Sequence, residues 1–205
     1  VGTKALVWAG LAASMLIKGP IGPIVLILTL LALWLSDRKG EPWIRKLGWT
    51  WGLALILLVL GPWVLAITVT TDGHFWTDAV LGDMVSKLGP KGQESHGAWP
   101  GLHALLTPIL VFPATLLCPA ALVAGWKYRA EPAVRFALCW LLPSWLMFEI
   151  APTKLPHYTL PLYGALAWLM ALALVRGLGP VSRLAGAVLS TAIAIALAGA
   201  SVYLA

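Results

Sequence analysis

Charge is what this sequence has least of. Of its 205 residues 11% are Asp, Glu, Lys or Arg, where soluble domains carry about one quarter. With 60% hydrophobic residues and a mean hydropathy of +0.88, a water-soluble globular domain is excluded and a membrane protein is what remains. Cysteine is scarce too. Cys118 and Cys139 fall inside apolar runs without a CxxC or a Cys/His neighbour, so they read as buried small hydrophobes and imply neither a metal site nor a disulfide. No HExxH or comparable ligand spacing occurs, and no metal or cofactor is expected. There is no repeat of fixed period, and no solvated linker that would mark a second domain. The formal charge of +6 does not point to nucleic acid, because in a polytopic chain basic residues first report orientation. The chain also opens on Val1 rather than Met, with no charged leader and cleavage site ahead of its first apolar run. That is the pattern expected of residues 1–205 as part of one polytopic domain whose N-terminal part is missing.

What is abundant is long apolar runs. About 20 apolar residues span the hydrocarbon core as a helix, and shorter runs serve when flanking lysines snorkel. By that measure seven segments are expected to cross: Ala5–Ile17, Ile21–Leu35, Leu47–Val69, Ala104–Trp126, Phe136–Ile150, Tyr158–Val175 and Leu184–Leu204. The fold class is therefore all-α integral membrane. If the first segment runs outward, Lys4, Arg38, Lys39, Arg45, Lys46, Lys127, Arg129, Arg135, Arg176 and Arg183 lie inside, ten of the 14 basic residues. The outer side keeps Lys18, Lys87, Lys91 and Lys154, five carboxylates (Asp72, Asp78, Asp83, Glu94, Glu149) and all four histidines. The positive-inside rule thus puts the long loop 70–103 outside, and polar chemistry collects on that face. Within the loop, Phe75, Val80, Leu81, Met84, Val85 and Leu88 are spaced as on a short amphipathic helix lying on the membrane surface or the bundle. GPKGQESHGAWPG then reads as turn-rich connection.

Each outer polar group has two readings. Lys18-Gly19-Pro20, where the first span emerges, is either a helix break with a snorkelling lysine or an ammonium meeting an anionic ligand. Lys154, His157 and Tyr158 sit in APTKLPHYTLP between Pro152, Pro156 and Pro161. Here the choice is an interfacial anchor or a rigid presenter suited to phosphate. Glu149 ends the apolar run WLMFEI, where a lone carboxylate is costly; it either pairs with Lys154 or serves the chemistry. His96, beside Glu94 in a glycine-rich turn, is one His and one Glu without metal-ligand spacing, and a lone loop histidine is more often structural. His74 and His103 carry no distinguishing signal. The 12 tryptophans fit interfacial belts, and those near the outer loop could also stack on a sugar or prenyl ligand.

KGPIGPIV (Lys18–Val25), GPWVLAI (Gly61–Ile67), FW (Phe75-Trp76), DMVSKLGPKGQESHGAWPG (Asp83–Gly101), FP (Phe112-Pro113) and TKLPHYTLPLY (Thr153–Tyr163) together resemble bacterial membrane glycosyltransferases of the C-type superfamily. More narrowly, they resemble the protein O-mannosyltransferase and lipid A aminoarabinose transferase group, a family-39-like type. The resemblance implies an inner-membrane enzyme, active on its periplasmic side. It would move a sugar from a polyprenyl-phosphate carrier, such as undecaprenyl phosphate, to lipid A, a protein or a glycan. It further implies a general-base carboxylate upstream of Val1, so the fragment by itself is expected to be inactive. As the sugar leaves, negative charge builds on the phosphate oxygens, and fixed cations in a low-dielectric site stabilise it. Lys18, Lys87, Lys154 and His157 are the expected cations, with His96 and Tyr158 as donors and Glu94 and Glu149 as support. A groove opened by Pro108, Pro113 and Pro119 would take the prenyl tail. The alternatives are a transporter or flippase for a lipid-linked or anionic solute, entered through the same lysines, and a structural subunit of a membrane complex. Inverted repeats would favour transport, and none is visible.

Overall fold

The computed structural model describes residues 2–36, 45–82 and 97–204. All the regular elements among them are helices, joined by an isolated antiparallel bridge between Gly97 and Thr153. The chain divides into two compact units, one reaching to Ser95 and the other starting at His96.

The first unit contains α1 (Gly2–Lys18), α2 (Ile21–Ser36) and α3 (Trp49–Thr70). Gly19, at a φ of 60°, ends α1 in the left-handed region that glycine adopts without strain, and Pro20 follows, where a helix cannot continue. The two helices of this hairpin approach closely at Gly22. A Cβ there would lie 2.0 Å from Ser14 Oγ, so a larger residue would force the hairpin open. Trp8, buried at the centre of α1, ties α1 to α3. Its indole N–H donates to the Leu47 carbonyl at 2.9 Å, its ring meets Trp49 edge-on at 5.3 Å, and its face lies over Gly52. The rest of α3 is apolar on every side, with Leu53, Leu57, Leu58, Leu65 and Val69 exposed, as expected where lipid replaces water as the solvent. After α3 the chain folds back in the wide π-helical turns of Phe75–Gly82. Trp63, Phe75 and Trp76 pack edge to face, and the Trp76 indole N–H donates to Thr68 Oγ1 at 2.8 Å. The amphipathic helix expected from Phe75 to Leu88 is thus seen only to Gly82, and as π turns; 83–88 lie outside the described residues.

The second unit contains α4 (Leu102–Leu110), α5 (Cys118–Lys127), α6 (Pro132–Ile150), α7 (Tyr163–Arg176) and α8 (Pro180–Leu204). The expected fourth span, Ala104–Trp126, is not one straight helix. It breaks after Leu110, and the pieces Leu102–Leu110 and Ala114–Lys127 are bent by 118°. Pro113 is the cause in sequence terms, since proline removes a backbone donor and crowds the preceding turn, whereas Pro119 falls in the first turn of α5, where it is tolerated. The bend is fastened by Thr115, whose hydroxyl donates to the Pro108 carbonyl. α7 packs on both α5 and α6; Ala120, Ala124 and Ala173 form a buried cluster between α5 and α7, and Val134, Ala137, Leu166 and Leu169 are buried as well. α8 docks on the short turn Ala114–Leu117 through Gly186, where a Cβ would meet the Leu116 carbonyl oxygen at 2.0 Å.

Among the described residues four helical stretches are long and apolar enough to cross a membrane: Trp49–Thr70, Pro132–Ile150, Pro156–Arg176 and Pro180–Leu204. The bent pair makes a fifth if it crosses as one. These match the third to seventh expected segments, and α1 and α2 are helices too short for the same criterion. The all-α membrane class holds at that coarser level.

Candidate functional site

Helix α6 is about 28 Å long at the usual rise per residue, and its two ends are chemically different. At its start Glu131 pairs with Arg176 at 3.0 Å, Arg176 lies over the Tyr128 ring at 4.8 Å, and Arg129 stacks on Trp126 at 4.4 Å. This end is basic and aromatic. At the other end is a buried polar cluster built from Glu149, His103 and Lys154.

 

Glu149, 9% exposed at the last turn of α6, accepts the backbone N–H of Gly101 at 2.8 Å and of Ala104 at 2.9 Å, with the Trp145 indole N–H at 3.3 Å. The first turn of α4 has no capping side chain of its own. A carboxylate from another helix therefore satisfies its free donors and meets the positive end of its dipole. This explains why an acid is tolerated at the end of WLMFEI.

His103 is fully buried in the first turn of α4. Its Nε2 lies 3.2 Å from the Leu155 carbonyl, so Nε2 carries the hydrogen, because a carbonyl only accepts. Its Nδ1 faces Glu149 Oε2 at 3.6 Å, just beyond hydrogen-bond reach. Lys154 is turned inward at 5% exposure, and its ammonium donates to the carbonyls of Ala98 at 3.0 Å and Ala151 at 2.6 Å. The ion pair expected between Glu149 and Lys154 is not formed. Each group has its own backbone partners, because the acid meets a helix N-terminus and the lysine meets carbonyls left open by the proline-rich loop.

Together with the Gly97–Thr153 bridge, these contacts stitch residues 97–104 to residues 149–155. What the stitched loop presents is His157, exposed, with its ring edge-on to Tyr158 at 5.2 Å; Tyr158 in turn packs near Phe148 at 6.4 Å. Next to them a cleft of about 270 Å³ is lined by Leu110, Pro156, His157, Leu160 and Tyr163. Its walls are apolar and its polar groups are an imidazole and a phenol, the latter 3.2 Å from Thr159 Oγ1.

Lys18 ends α1 in the first unit and is exposed. Lys87, Glu94 and His96 lie outside the described residues. Among the described residues no three His, Cys, Asp or Glu side chains converge as metal ligands. His103 is the residue that sequence reasoning passed over. A lone histidine at the start of an apolar run gives no pattern to read, and only the fold brings it to Leu155 and Glu149.

No family model matches the chain, and no solved structure is significantly similar to it. Curated relatives do match. The chain is 31% identical over 178 residues to an undecaprenyl phosphate-alpha-4-amino-4-deoxy-L-arabinose arabinosyl transferase of Proteus mirabilis, covering 82% of this chain and 31% of the relative. It is 31% identical over 188 residues to the transferase of that name from Pectobacterium atrosepticum, covering 88% and 32%. To the transferase from Pseudomonas paraeruginosa it is 31% identical over 180 residues, covering 86% and 32%. The chain spans about a third of the length of these relatives. The chain is thus homologous, over most of its own length, to about a third of these bacterial undecaprenyl-phosphate aminoarabinose transferases.

Proposed function

We propose that this chain is part of one polytopic transferase domain that moves a sugar, a pentose such as aminoarabinose, from an undecaprenyl-phosphate carrier to lipid A. The observation that carries this reading is the cleft beside His157. A polyprenyl phosphate joins an anionic head to an apolar tail, and the cleft sets His157 and Tyr163 against Leu110, Pro156 and Leu160, the pairing of surfaces that such a junction needs. A donor next to the leaving phosphate stabilises the charge that develops there, and the apolar surroundings strengthen the effect. The relatives' printed names supply the carrier, the sugar and the reaction.

In this reading His157 and Tyr158 meet the carrier phosphate or its sugar. Lys18, Lys87 and His96 are further outer-face donors, and Glu94 supports His96. Lys154, whose ammonium already serves two carbonyls, keeps one N–H for the site. The enzyme sits in the bacterial inner membrane, which this chain crosses seven times, with the loop 70–103 and the cleft on the periplasmic side. The gathering of arginines at the opposite end of α6 from Glu149 supports that orientation.

The test is His157→Ala in the full-length protein. Transfer from an undecaprenyl-phosphate sugar to lipid A, followed by mass spectrometry, should fall about a hundredfold, the scale of removing one donor from a developing oxyanion. Membrane insertion should be unchanged. A wild-type rate in the variant, or no transfer by the wild type from any polyprenyl-phosphate sugar, would overturn the reading.

A further inference from the structure

The loop bearing His157 and Tyr158 has few means of its own to hold a shape. Pro156 and Pro161 lack backbone donors, and the 3₁₀ turns that follow Leu155 have no capping side chain. Two donors converge on the Leu155 carbonyl: the Tyr158 backbone N–H at 3.0 Å and His103 Nε2 at 3.2 Å. The first closes the turn that carries His157 and Tyr158, and the second ties that turn to α4. The histidine is itself set in place, because Glu149 holds the N-terminus of α4 on both sides of it, at Gly101 and Ala104.

We infer that His103 is a positioning residue, which through the Leu155 carbonyl fixes the turn that presents His157 and Tyr158 to the carrier phosphate. The positioning claim concerns this chain alone, while its kinetic consequence rests on the function proposed above. A polar group buried completely in an apolar bundle is costly unless it is hydrogen-bonded. A leucine would fill much of the same space without needing a partner, and could not make this contact. A group held by one buried hydrogen bond is held within a narrow range, and a loosened donor is presented in the right place for a smaller fraction of the time.

The experiment uses the full-length protein and two readouts. Hydrogen exchange comes first, because it does not depend on activity. In His103→Leu the amide of Tyr158 should exchange about tenfold faster, the scale of one lost hydrogen bond. In His103→Gln, whose side-chain amide can still donate, it should stay within about threefold of wild type. Kinetics come second. His103→Leu should raise KM for the undecaprenyl-phosphate sugar about tenfold, whereas a merely structural role would lower the active fraction and leave KM alone. In a His157→Ala, Tyr158→Phe background the His103→Leu change should add almost nothing, since the groups it positions are gone.

Unchanged exchange at Tyr158 in His103→Leu overturns the positioning role whatever the enzymology gives. Faster exchange together with an unchanged KM overturns its link to the carrier. Wild-type protein without transferase activity sinks the proposed function instead, and exchange still decides the positioning. Should His103→Leu fail to insert, His103→Asn takes its place under the same criteria, because its shorter amide withdraws from Leu155 while keeping the site polar.

Discussion

Replacing Glu149 by Gln changes one atom and removes one charge. The carboxylate accepts from the backbone of Gly101 through Oε2 and of Ala104 through Oε1. The glutamine amide keeps a single oxygen, so one of these N–H groups then faces an NH2 and loses its acceptor. A hydrogen bond to a charged group contributes about 1.5–3 kcal/mol. A negative charge at a partly buried helix N-terminus contributes up to about 2 kcal/mol. The two overlap, because both describe the same carboxylate at the same donors, and about 3 kcal/mol is the combined cost. It should fall on the local opening of the first turn of α4 before it reaches global stability. At 1.4 kcal/mol per tenfold, the Gly101 and Ala104 amides should exchange roughly a hundredfold faster in Glu149→Gln than in wild type. Mass spectrometry of peptides covering 99–106, in detergent or nanodiscs, measures this, with peptides from α7 as the internal control. Exchange within about threefold of wild type would refute the capping role and return Glu149 to the status of an unpartnered intramembrane acid.

Gly186→Leu should detach α8 from the turn Ala114–Leu117, because the added Cβ would meet the Leu116 carbonyl oxygen at 2.0 Å. Backbone cannot yield there as a side chain would, and a loss of about 1–3 kcal/mol is expected, seen as a lower midpoint in thermal unfolding by intrinsic fluorescence. Trp8→Phe keeps most of the ring over Gly52 and removes the 2.9 Å bond to the Leu47 carbonyl. It should cost about 1 kcal/mol and make the amides of 49–52 exchange faster, while leaving the second unit unchanged.

Much of the architecture was legible in the apolar runs. The third and the last three expected segments coincide with long apolar helices, because a span needs only length and hydropathy, both local properties. The break of the fourth segment was legible as prolines but not as a bend of 118°, since proline says that a helix stops and not where the chain goes next. Glu149 was recognisable as an acid that needed a partner. Its nearest lysine in sequence was the natural choice, and the structure gives it a helix N-terminus from 45 residues away instead.

The sequence by itself determined that this is an all-α membrane chain, that its charged residues fall between apolar runs, and that its motifs resemble those of membrane glycosyltransferases. These follow from hydropathy, charge and residue order, which need no knowledge of neighbours in space. The tertiary structure alone decided that Lys154 turns inward to two carbonyls, that His103 reaches Leu155, and that His157 is left facing a cleft. Burial and hydrogen bonding depend on which segments meet, and residues 97–104 meet residues 149–155 only once the helices have packed.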